Sequence, residues 1–171
     1  DTLEVSNLPA TFTVTEDVTM ALDFGSSFNL SDPDFPGDAT VTLEASEGTL
    51  NGTSALGVTV SGSATGTLTL VGTLNNISTW LKTIGNVQYT SALDDSGTPG
   101  ATVAVKLAGN TLGTVNINIT PVNDVPVITS NGGDIPAPIS YAENGTTEVT
   151  SVTVTDPDSP DTKTFSISGG D

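Results

Sequence analysis

The chain has 171 residues with 20 acidic side chains against 3 basic ones, a formal charge of −17, and no histidine or cysteine. Such a surface repels phosphates and anionic lipid, which argues against nucleic acid and membrane surfaces as partners, and no apolar run approaches the roughly 20 residues that cross a bilayer. Disulfides, thiolate metal sites and zinc are also removed, so an exported protein of this composition needs another source of rigidity, and oxygen-bound calcium is the candidate.

Along the chain the dominant signal is alternation. Val18, Met20, Leu22 and Phe24 alternate with Thr19, Ala21 and Asp23, the period-two pattern of a half-buried strand. The pattern returns at Val41/Leu43/Ala45, Val58/Val60, Leu68/Leu70, Val87/Tyr89, Val103/Val105/Leu107 and Val115/Ile117/Ile119. Turn formers separate these segments, among them Asn51-Gly52, Ser61-Gly62-Ser63 and Asp94-Asp95-Ser96-Gly97. Roughly seven or eight short strands over this stretch predict an all-β fold, an antiparallel β-sandwich, with a barrel as the alternative. One segment departs from strand periodicity. Ile77, Leu81 and Ile84 stand at helical spacing, with Asn75 and Asn76 in front and Gly85 behind. They predict a short inserted helix around residues 75–84 whose apolar side closes one end of the sandwich. Trp80 is read as part of that plug or its rim rather than as a sugar-stacking platform.

Pro121-Val122-Asn123-Asp124-Val125-Pro126 marks a boundary, since two prolines around an Asn-Asp pair make a short, stiff connector. The expected organisation is a sandwich over residues 1–122, a connector at 123–126, and the beginning of a second tandem sandwich at 127–171. That last segment supplies about three strands, too few to close a two-sided core. It also repeats the acidic signature of the first at an offset of about 120 residues. Asp32-Pro33-Asp34 reads like Asp156-Pro157-Asp158, each preceded by a lone glutamate, Glu16 and Glu143.

These acids are expected to gather where modules meet. Asp156 and Asp158 would face Asn123 and Asp124 of the connector, with Glu16 and one of Asp94 or Asp95 contributed by the preceding module. Two carboxylates about 4 Å apart repel by roughly 4 kcal/mol at an effective dielectric of 20, so such a cluster calls for a cation. Calcium takes six to eight oxygen ligands in loose geometry, whereas magnesium keeps waters and zinc has no ligands here. Each motif alone is an ordinary turn former; recurrence of the whole set favours metal over turn.

Ala142-Glu143-Asn144, Thr155-Asp156-Pro157-Asp158 and Val122-Asn123-Asp124-Val125-Pro126 together resemble the signature of bacterial cadherin-like repeats. Such repeats fill the extender regions of RTX-type, type-I-secreted adhesins. In the first module Thr15-Glu16-Asp17, Ser31-Asp32-Pro33-Asp34 and Gly72-Thr73-Leu74-Asn75 leading to Val87-Gln88-Tyr89-Thr90 are similar to the same repeats. The resemblance implies a cadherin/Ig-like Greek-key sandwich, calcium at module junctions, neighbouring repeats of the same chain as partners, and an extracellular role in cell-surface or biofilm adhesion. Cell-surface or matrix ligands would be met through other domains. By position it carries ligand roles onto Asn123, Asp124, Asp156, Asp158 and Glu16, and onto Asp32 and Asp34 for the upstream junction, with Asp1 as the remnant of that connector. One departure stands out. Where many repeats carry a late aspartate, this chain has Leu107-Ala108-Gly109-Asn110, so that ligand is missing or replaced by Asn110, and fewer ions per junction are expected.

Three function classes follow. The first is a calcium-stiffened extender. The second is a ligand-binding module, most plausibly for carbohydrate, using Trp80, Tyr89 or Tyr141 as a stacking surface. The third, an enzyme, is not expected, because without histidine or cysteine it would need a carboxylate pair in an aromatic-lined cleft.

Overall fold

Thr11–Thr15 shows the rule that builds most of the molecule. Phe12 and Val14 are buried while Thr11 and Thr13 are exposed, because successive side chains of a strand point to opposite faces and only one face meets a core. The computed structural model describes residues 3–130, 133–134 and 152–156. The chain divides into two compact units, Asp1–Val122 and Asn123–Asp171.

The first unit is a sandwich. One sheet has six strands in the order β2-β11-β10-β5-β8-β7, formed by β2 (Thr11–Thr15), β5 (Ala39–Ala45), β7 (Thr59–Ser61), β8 (Thr67–Gly72), β10 (Gly97–Leu107) and β11 (Asn110–Thr120). The facing layer has two small sheets. β1 (Glu4–Ser6) pairs with β4 (Asn29–Ser31), and β9 (Gln88–Thr90) lies between β3 (Met20–Ala21) and β6 (Thr49–Asn51). Val41, Leu43, Leu68, Val103 and Ile117 from the large sheet are fully buried, as are Leu22, Phe24, Leu50 and Tyr89 opposite them. Phe24 sits edge-on to both Phe12 and Phe28, with ring centroids 5.2 and 5.3 Å apart.

The sandwich is antiparallel except that β2 and β11 pair in parallel, Thr11 opposite Asn116 and Thr15 opposite Thr120. The cause is a crossover. After β1 the chain passes through Asn7, held at φ 55, moves from the small sheet to the large one, and keeps its direction. The registers also assign loops to the two ends of the sandwich. Glu4 lies opposite Ser31 and Leu107 opposite Val41, so the Asp32 loop and the Ala108-Gly109 turn share the upstream pole. Gly97 lies opposite Ile119, and the Glu16 amide donates to the Thr120 carbonyl at 3.0 Å. The chain therefore leaves at the downstream pole, beside Glu16.

The inserted helix α1 spans Leu74–Lys82, slightly earlier than its apolar spacing suggests. Thr73, not an asparagine, caps it, its hydroxyl accepting from the Asn76 amide at 3.2 Å. Ile84 falls beyond the last turn and is 68% exposed, so the plug consists of Leu74, Ile77, Trp80 and Leu81. The helix also carries Ser78, whose buried hydroxyl accepts from the Leu30 amide at 2.8 Å and donates to the Leu30 carbonyl. A side chain thus stands in for a neighbouring strand along β4. Trp80 is fully buried and its indole N–H donates to the Thr53 carbonyl at 3.1 Å, which places it in the core and removes it as a stacking surface. Tyr89 is equally buried; Tyr141 lies outside the described residues.

In the second unit, β12 (Val127–Ser130) pairs antiparallel with β13 (Gly133–Asp134) on one side and β14 (Val152–Thr155) on the other. Val127 lies opposite Thr155, and the Thr155 hydroxyl is 3.5 Å from the Val127 carbonyl.

Candidate metal centre

β2 ends at Thr15, and the next two residues begin the site. Glu16 still points inward at the place where an apolar residue would continue the alternation, and it is 1% exposed. Its Oε2 accepts a hydrogen bond from the Val122 amide at 3.0 Å. By strand alternation Asp17 would face away from Glu16, but its backbone turns to φ 57. That left-handed conformation is one aspartate tolerates better than most residues. The Asp17 amide is held by the Ser91 hydroxyl at 3.2 Å. Asp94 takes the same conformation, φ 55, in the loop between β9 and β10.

The outcome is a group of four carboxylates. One oxygen each from Glu16, Asp17, Asp94 and the connector residue Asp124 lies within 4.8 Å of the other three. At that separation each pair of charges repels by about 3 kcal/mol at an effective dielectric of 20. Among the described residues no lysine pairs with Glu16, Asp17 or Asp94; the ion pair seen there joins Lys106 to Glu44 across β10 and β5. A buried charge is ordinarily paired or bound to a metal, and Glu16 has only a backbone amide in view. The donor set fits a hard divalent cation. Calcium–oxygen distances of 2.3–2.6 Å give a coordination shell about 5 Å across, and four oxygens within 4.8 Å of one another fall inside it.

Comparison of the chain with protein-family models, with curated proteins and with solved structures finds no match. Among the described residues no helix is long and apolar enough to cross a membrane.

Of the ligands expected from sequence, Glu16, Asp94 and Asp124 come together, and Asp17 joins them. Asp95 stays outside the group. Its Oδ2 is buried without a hydrogen-bond partner. Asn123 is exposed and its side-chain amide donates to the Asp124 carbonyl at 2.9 Å. Asp32 and Asp34 lie at the upstream pole and form a turn there. The Asp34 amide donates to Asp32 Oδ1 at 3.1 Å and the Phe35 amide to the Asp32 carbonyl at 3.3 Å. Their expected companion Asp1 lies outside the described residues, as does Asp158. Asp156 is half-buried just after β14 and is not one of the four.

Tyr89 lies between β3 and β6 and donates its hydroxyl to the Glu47 carbonyl at 3.2 Å. Burial, then the charges of Asp95 and Glu47, push the phenol up to about 12. The folded chain therefore holds this proton more tightly than the unfolded chain. The resulting stabilisation is fully present below pH ~10 and is lost as pH rises through ~12. In a Tyr141→Phe variant, which leaves Tyr89 as the sole phenol, phenolate absorbance is expected to appear near pH 12 or at unfolding. Urea midpoints should fall over the same interval, and a phenolate forming near pH 10 in the folded protein would contradict this.

Proposed function

We propose that the protein is a structural extender module of a bacterial cell-surface adhesin, its geometry fixed by calcium at the downstream pole of the sandwich. The observation that carries this reading is Glu16: a carboxylate sealed from solvent, with three further carboxylates around it, where the chain leaves the module. The residue pattern supports it as well, because the glutamate, the Asp-Pro-Asp loops and the Asn-Asp connector resemble those of bacterial cadherin-like repeats.

The mechanism is electrostatic. Without a cation, Asp124 is repelled by Glu16, Asp17 and Asp94, and the connector is pushed off the end of the sandwich. A divalent ion turns that repulsion into attraction and holds the connector in one direction, while the Val122 amide remains bonded to Glu16. Repeated along tandem modules outside the cell, the effect converts a string of hinges into a stiff rod that carries a binding domain outward. Extracellular modules work with calcium affinities of about 10⁻⁴–10⁻³ M, adequate where calcium is plentiful.

Calorimetric titration of the chain with calcium, and separately with magnesium, tests the reading. Calcium should bind saturably and magnesium more weakly. At a hundred times its dissociation constant calcium should stabilise the fold by about 2.7 kcal/mol. No heat and no shift in melting temperature would end the proposal.

A further inference from the structure

A second place on the first unit has a different chemistry. Between the end of β6, the turn after α1 and the β7–β8 turn lies an open cavity of about 500 Å³, within the range of small-molecule sites. Its side chains come from Asn51, Thr53, Ser63, Asn86 and Gln88, with Gly52 and Gly85 completing the wall. In a chain of charge −17, none of these residues is charged.

The polar groups are arranged rather than scattered. Asn51 and Gln88 are direct partners in the β6–β9 register. Their neighbours Leu50 and Tyr89 enter the core, so both carboxamides stand side by side on the outward face, about 5 Å apart at Cβ. Among the described residues neither carboxamide has a hydrogen-bond partner, so the amide donors and carbonyl acceptors of both face a ligand. Asn86 donates its amide to the Trp80 carbonyl at 3.0 Å, which fixes the side chain and leaves its oxygen to accept. Ser63 is committed to the wall: its hydroxyl receives the Gly52 amide at 3.0 Å and donates to the Gly52 carbonyl at 2.6 Å. Gly52 in turn lies against the buried indole, since a Cβ there would come within 3.0 Å of Trp80 Cη2. At Gly85, φ +92, a Cβ would meet nothing within 4 Å, so the mouth is open on that side. The floor is rigid, the rim is open, and paired donors and acceptors face the space between.

We propose that this cavity binds a neutral polyhydroxylated ligand, a sugar residue, through the Asn51 and Gln88 carboxamides. Adjacent hydroxyls each need one donor and one acceptor, which a pair of carboxamides supplies. An anionic ligand would gain no counter-charge here and would be repelled by the chain as a whole. The site is separate from the four carboxylates and uses none of the residues that hold them.

The test is an NMR titration of the full chain with methyl β-D-glucoside, methyl β-D-galactoside and methyl α-D-mannoside as probes. At least one should shift the side-chain amides of Asn51, Asn86 and Gln88 and the backbone amides of Gly52 and Gly85 along one saturable curve. The affinity should be the same with calcium and with chelator. Asn51→Ala and Gln88→Ala should each weaken binding about tenfold, the loss of one or two hydrogen bonds, with unchanged melting temperature. No saturable shift with any of the three probes, or undiminished binding in the double variant, would overturn the proposal.

Discussion

Glu16→Gln is expected to change the stability of the fold in opposite directions with and without calcium. The substitution keeps the shape and one oxygen ligand but removes a buried charge. In chelator, the wild-type chain holds four carboxylates within 4.8 Å of one another, so neutralising one relieves repulsion and should raise stability by about 1–3 kcal/mol. In saturating calcium the same change removes ligand charge from the ion, and affinity should fall tenfold or more, about 1.4 kcal/mol. Thermal melts of both proteins in both conditions would show the crossing, and calorimetry would give the affinity directly. Asp94→Asn should behave alike, whereas Asp32→Asn, in the turn at the other pole, should leave calcium binding by this group unaltered. A loss of equal size in chelator and calcium would mean that Glu16 merely packs, and the cation reading would fall.

Trp80→Ala should be the most damaging single substitution, costing about 3–5 kcal/mol. The side chain is fully buried, its ring edge supports Gly52, and its N–H satisfies the Thr53 carbonyl. Against a total stability of about 5–15 kcal/mol, that loss removes a large fraction of what holds the module folded. Trp80→Phe separates the terms. It keeps most of the apolar volume and deletes the hydrogen bond, so it should cost less than the alanine variant. Urea denaturation measures both. Unchanged stability in Trp80→Ala would indicate a solvent-facing ring and revive a stacking role.

These sites differ in how much of them was legible in the residues. The strands were, because Val41/Leu43, Leu68/Leu70 and Val103/Val105 alternate and every one of them is buried. Val18 obeys the same pattern and is nonetheless 48% exposed. The left-handed turn at Asp17 interrupts the strand there, and alternation gives no notice of it. The same turn explains why Asp17 escaped as a ligand, since two adjacent strand residues should face apart. Its signal was the extra acid beside Glu16, followed by no apolar partner in register. Glu16 and Asp94 were readable as acids flanking strand ends, and Asp124 as the acid of a proline-framed connector. The choice between Asp94 and Asp95 depended on a backbone angle. The helix was legible from its apolar face but not its first turn, where Thr73 outcompetes the asparagines for the cap. The parallel pairing of β2 with β11 follows from a crossover that no local pattern encodes.

That pairing bears on how the module would respond to tension. The chain comes in along β1 and β2 and departs along β11, so pulling on its two ends draws β2 and β11 past each other along their common axis. The ladder from Thr11–Asn116 to Thr15–Thr120 is then loaded in shear, with its bonds sharing the strain instead of opening one after another. Rupture in that geometry is governed by the unfolding barrier rather than by equilibrium stability. A chain pulled at both ends gains resistance from the direction of a single edge strand.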